Sequence, residues 1–174
     1  MTTSAELLVD GFGRIRENVA DVLSGLTPDQ LTHQVAPGAN PISWLVWHLT
    51  RVQDDHVAKA FGAEQIWSAG GWAGRFGLRP GVMDHGYGHT AAQVAEVATA
   101  TASAELLAEY HEATHAQTVK LVAEVTDADL DRIVDTRWTP AVTLGARLVS
   151  VLDDDMQHVG QAAYVRGLLL LDEG

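Results

Sequence analysis

The amino-acid sequence predicts an all-α domain, a bundle of four long helices with one long loop between the second and the third. Apolar residues recur at helical spacing in four stretches, and no alternating apolar–polar run is longer than a few positions. Glycine and aromatic residues concentrate at positions 62–89. The length of 174 residues fits one domain, so we predict a single domain over 1–174.

The first long helix shows the clearest pattern. Its apolar side chains are spaced four and three positions apart from Leu8 to Val22, which draws one stripe along a helix. Thr3 and Glu6 form a capping-box pattern at its start, and Gly25 marks its end. By similar signals we predict three further long helices, over 40–61, 103–125 and 143–171, and short helical segments near 27–30 and 127–134.

The segment 62–89 differs from the rest of the chain. It holds eight of the sixteen glycines, a density that does not favour a helix. The aromatic residues interleaved with those glycines argue against disorder. The segment is therefore predicted to be an ordered loop, either packed over a site or serving as a plain connector.

Composition excludes several classes of function. The sequence has no cysteine, which excludes disulfide scaffolds, cysteine-based metal sites and a thiol nucleophile within the chain. A net charge of −12 disfavours nucleic acid as a partner. No signal peptide or membrane-spanning run is apparent, so we expect a cytoplasmic protein that does not bind membranes. Any transition-metal site must use the eight histidines together with Asp and Glu.

Acidic and imidazole side chains interrupt the apolar stripe of the fourth long helix. Asp154 lies four positions before His158 and Asp155 three, so either carboxylate shares a helical face with that imidazole. A buried carboxylate needs a partner or a metal ion, and carboxylate plus imidazole is a metal-ligand set. His48 on the second long helix is the natural third ligand. The alternative interpretation is solvated aspartates beside a core histidine.

Other histidine patterns compete with this site. The segment from His111 through Glu112 to His115 matches the His-Glu-x-x-His pattern of zinc metalloproteases, but its flanks are not strongly apolar and no third ligand follows. We expect a solvated helix face there, with His111 at most reaching the pocket. The two histidines of segment 85–89 either place imidazoles at a pocket mouth or belong to a glycine-rich turn. His56 is expected to be partly exposed.

Two segments carry a resemblance to a known family. Residues 44–51 read Trp-Leu-Val-Trp-His-Leu-Thr-Arg, and residues 154–161 read Asp-Asp-Met-Gln-His-Val-Gly-Gln, with Arg-Gly-Leu following at 166–168. They resemble the second- and fourth-helix motifs of the DinB/YfiT-like superfamily, and within it the mycothiol-dependent enzymes related to maleylpyruvate isomerase. The resemblance involves most of the chain and implies a four-helix bundle with a divalent metal site.

The resemblance also assigns roles to residues. It implies that His48, Asp154 and His158 bind the metal ion, zinc first, with nickel, iron or manganese as alternatives. The family usually has His or Glu where this sequence has Asp154, and the shorter side chain implies weaker binding, another metal or a degenerate site.

Three further residues are pocket candidates. Arg51 is expected to pair with a carboxylate of the thiol or substrate, or else with a neighbouring aspartate. Gln161 and Tyr110 are expected as donors around the ligands.

The implied function is that of a metal-dependent thiol transferase. A low-molecular-weight thiol resembling mycothiol would attack a small electrophile, so the sulfur would arrive with the cosubstrate. The isomerases carry a further C-terminal domain that these residues do not include, so the broader activity is expected rather than that reaction. The alternatives are a metal-dependent hydrolase of the same fold and a non-catalytic, stress-associated metal-binding bundle. A homodimer is expected.

Overall fold

The computed structural model describes residues 2–79 and 84–171. Residues 80–83 of the predicted loop and both ends of the predicted domain lie outside this range. The described part is mostly helical, as predicted. Its elements, in chain order, are α1 (Ser4–Leu23), α2 (Pro28–Thr32), α3 (Ile42–Phe61), α4 (Ile66–Ala69), α5 (Trp72–Arg75), α6 (Ala91–Ala100), α7 (Ala104–Val122), a 3₁₀ turn (Asp127–Asp131), β1 (Ile133–Asp135), β2 (Val142–Thr143) and α8 (Leu144–Leu171).

The four longest helices, α1, α3, α7 and α8, pack against one another in a closed ring. Helix α3 contacts α8 and α7, and α1 contacts the other sides of the same two helices. Helix α3 is the most enclosed, because nearly every side chain over its first three turns is buried. A polar residue on this part of α3 therefore lies inside the molecule, and this position determines the surroundings of His48.

Helix α1 forms as its sequence predicts. The Thr3 hydroxyl accepts a hydrogen bond from the Glu6 backbone N–H, and the Glu6 carboxylate accepts from the Thr3 N–H, which completes the capping box. The stripe from Leu8 to Val22 is buried against the core. Full burial of such side chains contributes roughly 1.5–3 kcal/mol each. A second capping box starts α2, as its sequence predicts.

The prediction of an ordered loop over 62–89 missed two short helices, and no element was predicted for the stretch 90–102 that follows. The predicted loop contains two single-turn helices, α4 and α5, and the ten-residue α6 follows it. Glycine density did not prevent α4 and α5 because each buries a tryptophan, Trp67 and Trp72, in the core beside Tyr110. Helix α6 begins with a capping box between Thr90 and Gln93.

The buried face of α7 differs from the predicted one. Leu107 and Thr114 are buried as predicted, but Leu121 is only half-buried, and the helix ends before Val125. The predicted helical segment at 127–134 is a 3₁₀ turn followed by β1, which pairs antiparallel with β2. The buried face of α7 also includes polar side chains, at Tyr110, His111 and Thr118.

None of the described helices is long and apolar enough to cross a membrane.

Candidate metal centre

Three side chains converge where α3 packs against α8. His48 comes from the buried face of α3 and is 5% exposed, whereas Asp154 and His158 stand one turn apart on α8. The Nε2 atom of His48 lies 4.0 Å from Oδ2 of Asp154, and Nε2 of His158 lies 3.7 Å from Oδ1. One ligand atom from each residue lies within 4.8 Å of the others, so this group could hold a metal ion.

Hydrogen bonds define which imidazole nitrogens face the aspartate. Nδ1 of His48 donates to the backbone carbonyl oxygen of His85, and Nδ1 of His158 donates to Oε1 of Gln161 at 2.9 Å. Both acceptors are carbonyl oxygens, so each Nδ1 must carry the hydrogen. In the neutral imidazole, Nε2 then carries the lone pair, and in both rings this atom lies towards Asp154. Metal-binding histidines in proteins are held in this way by a partner at the other ring nitrogen.

The electrostatics of the three groups fit a cation between them. Burial lowers the pKa of His48 to about 4, so its imidazole is neutral near pH 7. Burial raises the pKa of Asp154, an effect that the neighbouring His158 partly offsets. Oδ2 of Asp154 is buried and has no hydrogen-bond donor among the described residues. Two lone pairs and a carboxylate facing one another are stabilised by a shared cation.

The structure separates the two aspartates that helical spacing left as alternatives. Asp154 faces His48, whereas Asp155, the next residue, is completely buried and is not part of the converging group. Neither carboxyl oxygen of Asp155 has a hydrogen-bond partner among the described residues. This geometry agrees with the choice of Asp154 that the resemblance implies.

The segment 84–89 covers the α3 side of the centre. Trp44 stacks on His48 with ring centroids 4.6 Å apart, and its Nε1 donates to Nδ1 of His89 at 3.2 Å. Nε2 of His89 in turn donates to the carboxylate of Asp84. Gly86 is buried, with φ of +94°. The segment thus belongs to the site through the carbonyl of His85 and the ring of His89. From the sequence alone, a place at the site and a plain glycine-rich turn were both open for this segment.

Arg51 has a different position from the expected one. It is completely buried, and its guanidinium donates to Asp54, Tyr110 and Gln65 at 3.3, 3.1 and 3.0 Å. Its Nε also donates to the backbone carbonyl of Asp84 at 3.1 Å. These contacts replace the expected pairing with a carboxylate of the thiol, and they match the alternative pairing with a neighbouring aspartate. Arg51 therefore holds the segment 84–89 in place.

Gln161 and Tyr110, the two residues expected as hydrogen-bond donors around the ligands, lie in different parts of the structure. Gln161 accepts a hydrogen bond from His158, so it contacts a ligand, although as an acceptor. Tyr110 is buried away from the ligands and donates to Asp54 at 2.8 Å, within the network of Arg51. The two residues therefore act at different places, Gln161 beside the centre and Tyr110 inside the core.

His56 and the histidines of the metalloprotease pattern are not part of the converging group. His56 is half-buried, and its ring lies 5.8 Å from that of His85. His111, expected near a solvated face, is 2% exposed. Glu112 forms an ion pair with Arg16 at 2.6 Å. The three residues of the metalloprotease pattern therefore form no three-ligand group among the described residues.

The fold and the site define a helical protein with a candidate mononuclear metal centre. The chain belongs to the DinB superfamily, whose family model matches residues 12–162. The crystal structure of a conserved protein from Enterococcus faecalis is similar, with a TM-score of 0.85 and 28% sequence identity. That similarity covers 98% of this chain and 99% of the other. A search among curated proteins found no match.

Proposed function

We propose that this chain is a divalent-metal-dependent enzyme built on a four-helix bundle of the DinB type, with His48, Asp154 and His158 as ligands. The observation that carries the proposal is the convergence of two imidazole lone pairs and a buried carboxylate oxygen with no donor among them. Two imidazoles and one carboxylate suit zinc best, with nickel, iron and manganese as alternatives.

Access to the site supports a catalytic role rather than a purely structural one. Three protein ligands are the number found in catalytic zinc sites, whereas structural sites use four. The side chains of Asp154 and His158 are 33% and 20% exposed, so a solute can reach the centre. When bound, a divalent cation supplies Lewis acidity that lowers the pKa of a coordinated thiol or water.

We propose a low-molecular-weight thiol resembling mycothiol as the nucleophile, and a small electrophile as the substrate. The resemblance of residues 44–51 and 154–161 to the mycothiol-dependent enzymes supports this choice. The chain contains no cysteine, so the sulfur must come from a second molecule. In the reaction the thiol gives its proton to water, its sulfur bonds to the electrophilic carbon, and the leaving group departs with its electron pair.

The chain's own residues prepare the centre for this reaction. The Nδ1 hydrogens of His48 and His158 are held by the His85 carbonyl and by Gln161, so Nε2 of each ring is directed towards the metal position. Trp44 covers one face of the His48 ring and keeps water from it. The proposal includes a cytoplasmic homodimer that binds neither nucleic acid nor membrane.

The metal content of single-residue variants tests the ligands. After dialysis against metal-free buffer, we expect His48→Ala, Asp154→Ala and His158→Ala each to lose the metal that the native protein retains. Asp153→Ala is the matched control, because Asp153 is an exposed neighbour on the same helix. Elemental analysis measures the content. Retention of metal in all three variants would show that these residues are not the ligands.

Thiol conjugation tests the reaction separately. Zinc-loaded protein with mycothiol and monochlorobimane is expected to form the fluorescent conjugate faster than protein treated with chelator. The Asp154→Ala variant is expected to match the chelated sample. If loaded protein accelerates conjugation with none of several low-molecular-weight thiols, the transferase proposal is wrong, while the metal-content result stands by itself.

A further inference from the structure

Two histidines on α7 lie outside the candidate metal centre and share an unusual property. His111 and His115 are four positions apart, so they project towards the same side of the helix. In each ring one nitrogen is buried and has no hydrogen-bond partner among the described residues: Nε2 of His111 and Nδ1 of His115. Buried polar atoms are nearly always paired, so two adjacent exceptions need an explanation.

The hydrogen bonds around His111 indicate that its unpaired nitrogen, Nε2, carries a lone pair and no hydrogen. The Thr50 hydroxyl donates to the backbone carbonyl of Val46 at 2.7 Å. Its oxygen lies 3.1 Å from Nδ1 of His111 and, with its hydrogen already used, accepts from that nitrogen. Nε2 of His111 is therefore an acceptor without a donor. Burial favours the neutral imidazole and lowers the pKa of His111 to about 3.

His115 is the second imidazole of the pair. It is half-buried, and burial lowers its pKa. A charge on His115 also disfavours protonation of His111, although burial is the larger cause of its lowered pKa. Two neutral imidazoles thus share one helix face. Because each offers a nitrogen lone pair, they favour a ligand that accepts electron pairs.

A cavity between α1 and α7 reaches the first histidine of the pair, His111. Its volume is about 160 Å³, several times the share of one water molecule in the liquid, about 30 Å³. Apolar side chains of both helices and His111 line it, and Glu17, Glu112 and Arg16 complete the lining. Two carboxylates beside one guanidinium favour a cation over an anion.

We propose that His111 and His115 form a second site, which binds a borderline divalent transition-metal ion such as Zn²⁺ through two imidazole nitrogens. Imidazole is a preferred ligand of zinc, nickel and copper ions. This site does not depend on the centre at His48. With two protein ligands it binds more weakly than the three-ligand centre, so dialysis empties it first.

The test removes the first centre and titrates the second. In the double variant His48→Ala/His158→Ala, competition with a chromophoric chelator is expected to show one equivalent of bound Zn²⁺. Adding His115→Ala is expected to weaken this binding at least ten-fold. Adding His33→Ala, which removes an exposed histidine at the end of α2, is the matched control and is expected to change nothing.

A second measurement needs no substitution at the buried position. Long-range ¹⁵N–¹H correlation spectra of the wild-type histidines report each ring nitrogen directly. As Zn²⁺ passes from one to two equivalents, the Nε2 resonance of His111 is expected to shift while Nδ1 keeps its hydrogen. An unmoved Nε2 resonance, as a buried water would give, or Zn²⁺ affinity unchanged by His115→Ala would overturn the second site.

Discussion

At the scale of single residues, the candidate metal centre depends on which nitrogen of each imidazole carries the hydrogen. For His48 this is controlled by a backbone carbonyl, which no side-chain substitution at position 85 removes. For His158 it is controlled by the side chain of Gln161, one turn further along α8. Gln161 is therefore the accessible point at which the ligand orientation can be changed.

We predict that Gln161→Leu lowers metal affinity about ten-fold, since loss of a partner that orients a ligand typically costs 10–100-fold and this partner is exposed. The reason is that His158 loses the acceptor that directs Nε2 towards Asp154. Gln157→Leu is the control, because Gln157 contacts the exposed Asp153 and no ligand. Competition titration with a chelator measures both, and equal affinities would exclude a role for Gln161.

The residues of the centre were only partly predictable. Spacing on α8 and the resemblance pointed to His48, Asp154 and His158, because a carboxylate and an imidazole one helical turn apart leave a readable pattern. The carbonyl of His85 leaves no such pattern, because any residue supplies one. The burial of Arg51 was equally hidden, since two of its partners, Asp84 and Tyr110, come from segments distant in sequence.

At the scale of elements, the segment 84–89 connects the loop region to the ligands on α3. Gly86 has a positive φ of +94°, and a Cβ there would lie 2.8 Å from Nδ1 of His48 and 2.9 Å from Trp44. Gly88 has a positive φ of +74°, and a Cβ there would meet none of the described residues within 4 Å. Substitutions at the two glycines therefore distinguish the effect of backbone strain, which both share, from the effect of close approach to the site, which only Gly86 has.

We predict that Gly86→Ala weakens metal binding more strongly than Gly88→Ala. Both variants strain the backbone, by about 1 kcal/mol for a residue in the left-handed region. Only Gly86→Ala displaces the segment from α3 and breaks the bond between His48 and the His85 carbonyl. Metal affinity and thermal unfolding of both variants measure the difference. Equal losses of affinity would mean that the close approach is unimportant.

The elements show where sequence reasoning succeeds and where it ends. The start of α1 was predictable because its capping signal and apolar stripe agree. Helix α6 carries the same kind of signal at Thr90 and Gln93, but the glycine-rich segment before it masked the pattern. The short helices α4 and α5 depend on tertiary burial of Trp67 and Trp72, which local propensity does not report.

At the scale of the whole molecule, two adjacent aspartates on α8 lie in different surroundings, one at the candidate centre and one in the core. Asp154 faces the candidate centre, whereas Asp155 lies in the core with no partner among the described residues. Burial, and then the neighbouring charge of Asp154, raises the pKa of Asp155 well above its usual value of 3.8. The folded protein therefore keeps a proton on Asp155 at pH values where the unfolded chain has lost it.

We predict that Asp155→Asn raises the free energy of unfolding of the metal-free protein, relative to wild type, increasingly as pH rises. Above pH 3.8 the Asp155 carboxyl binds fewer protons in the unfolded chain than in the folded protein, so its contribution to stability falls with pH, whereas the amide does not titrate. The difference grows by up to about 1.4 kcal/mol per pH unit until the pH reaches the folded-state pKa.

Urea denaturation at several pH values between 4 and 8 measures this difference. Asp153→Asn, an exposed substitution on the same helix, is the control and is expected to stay within about 0.5 kcal/mol of wild type. A difference between Asp155→Asn and wild type that does not change with pH would mean that Asp155 is charged in the folded protein. The core would then have to supply it with a counter-charge. Because metal binding also stabilises the folded state by mass action, the chelator must be present throughout.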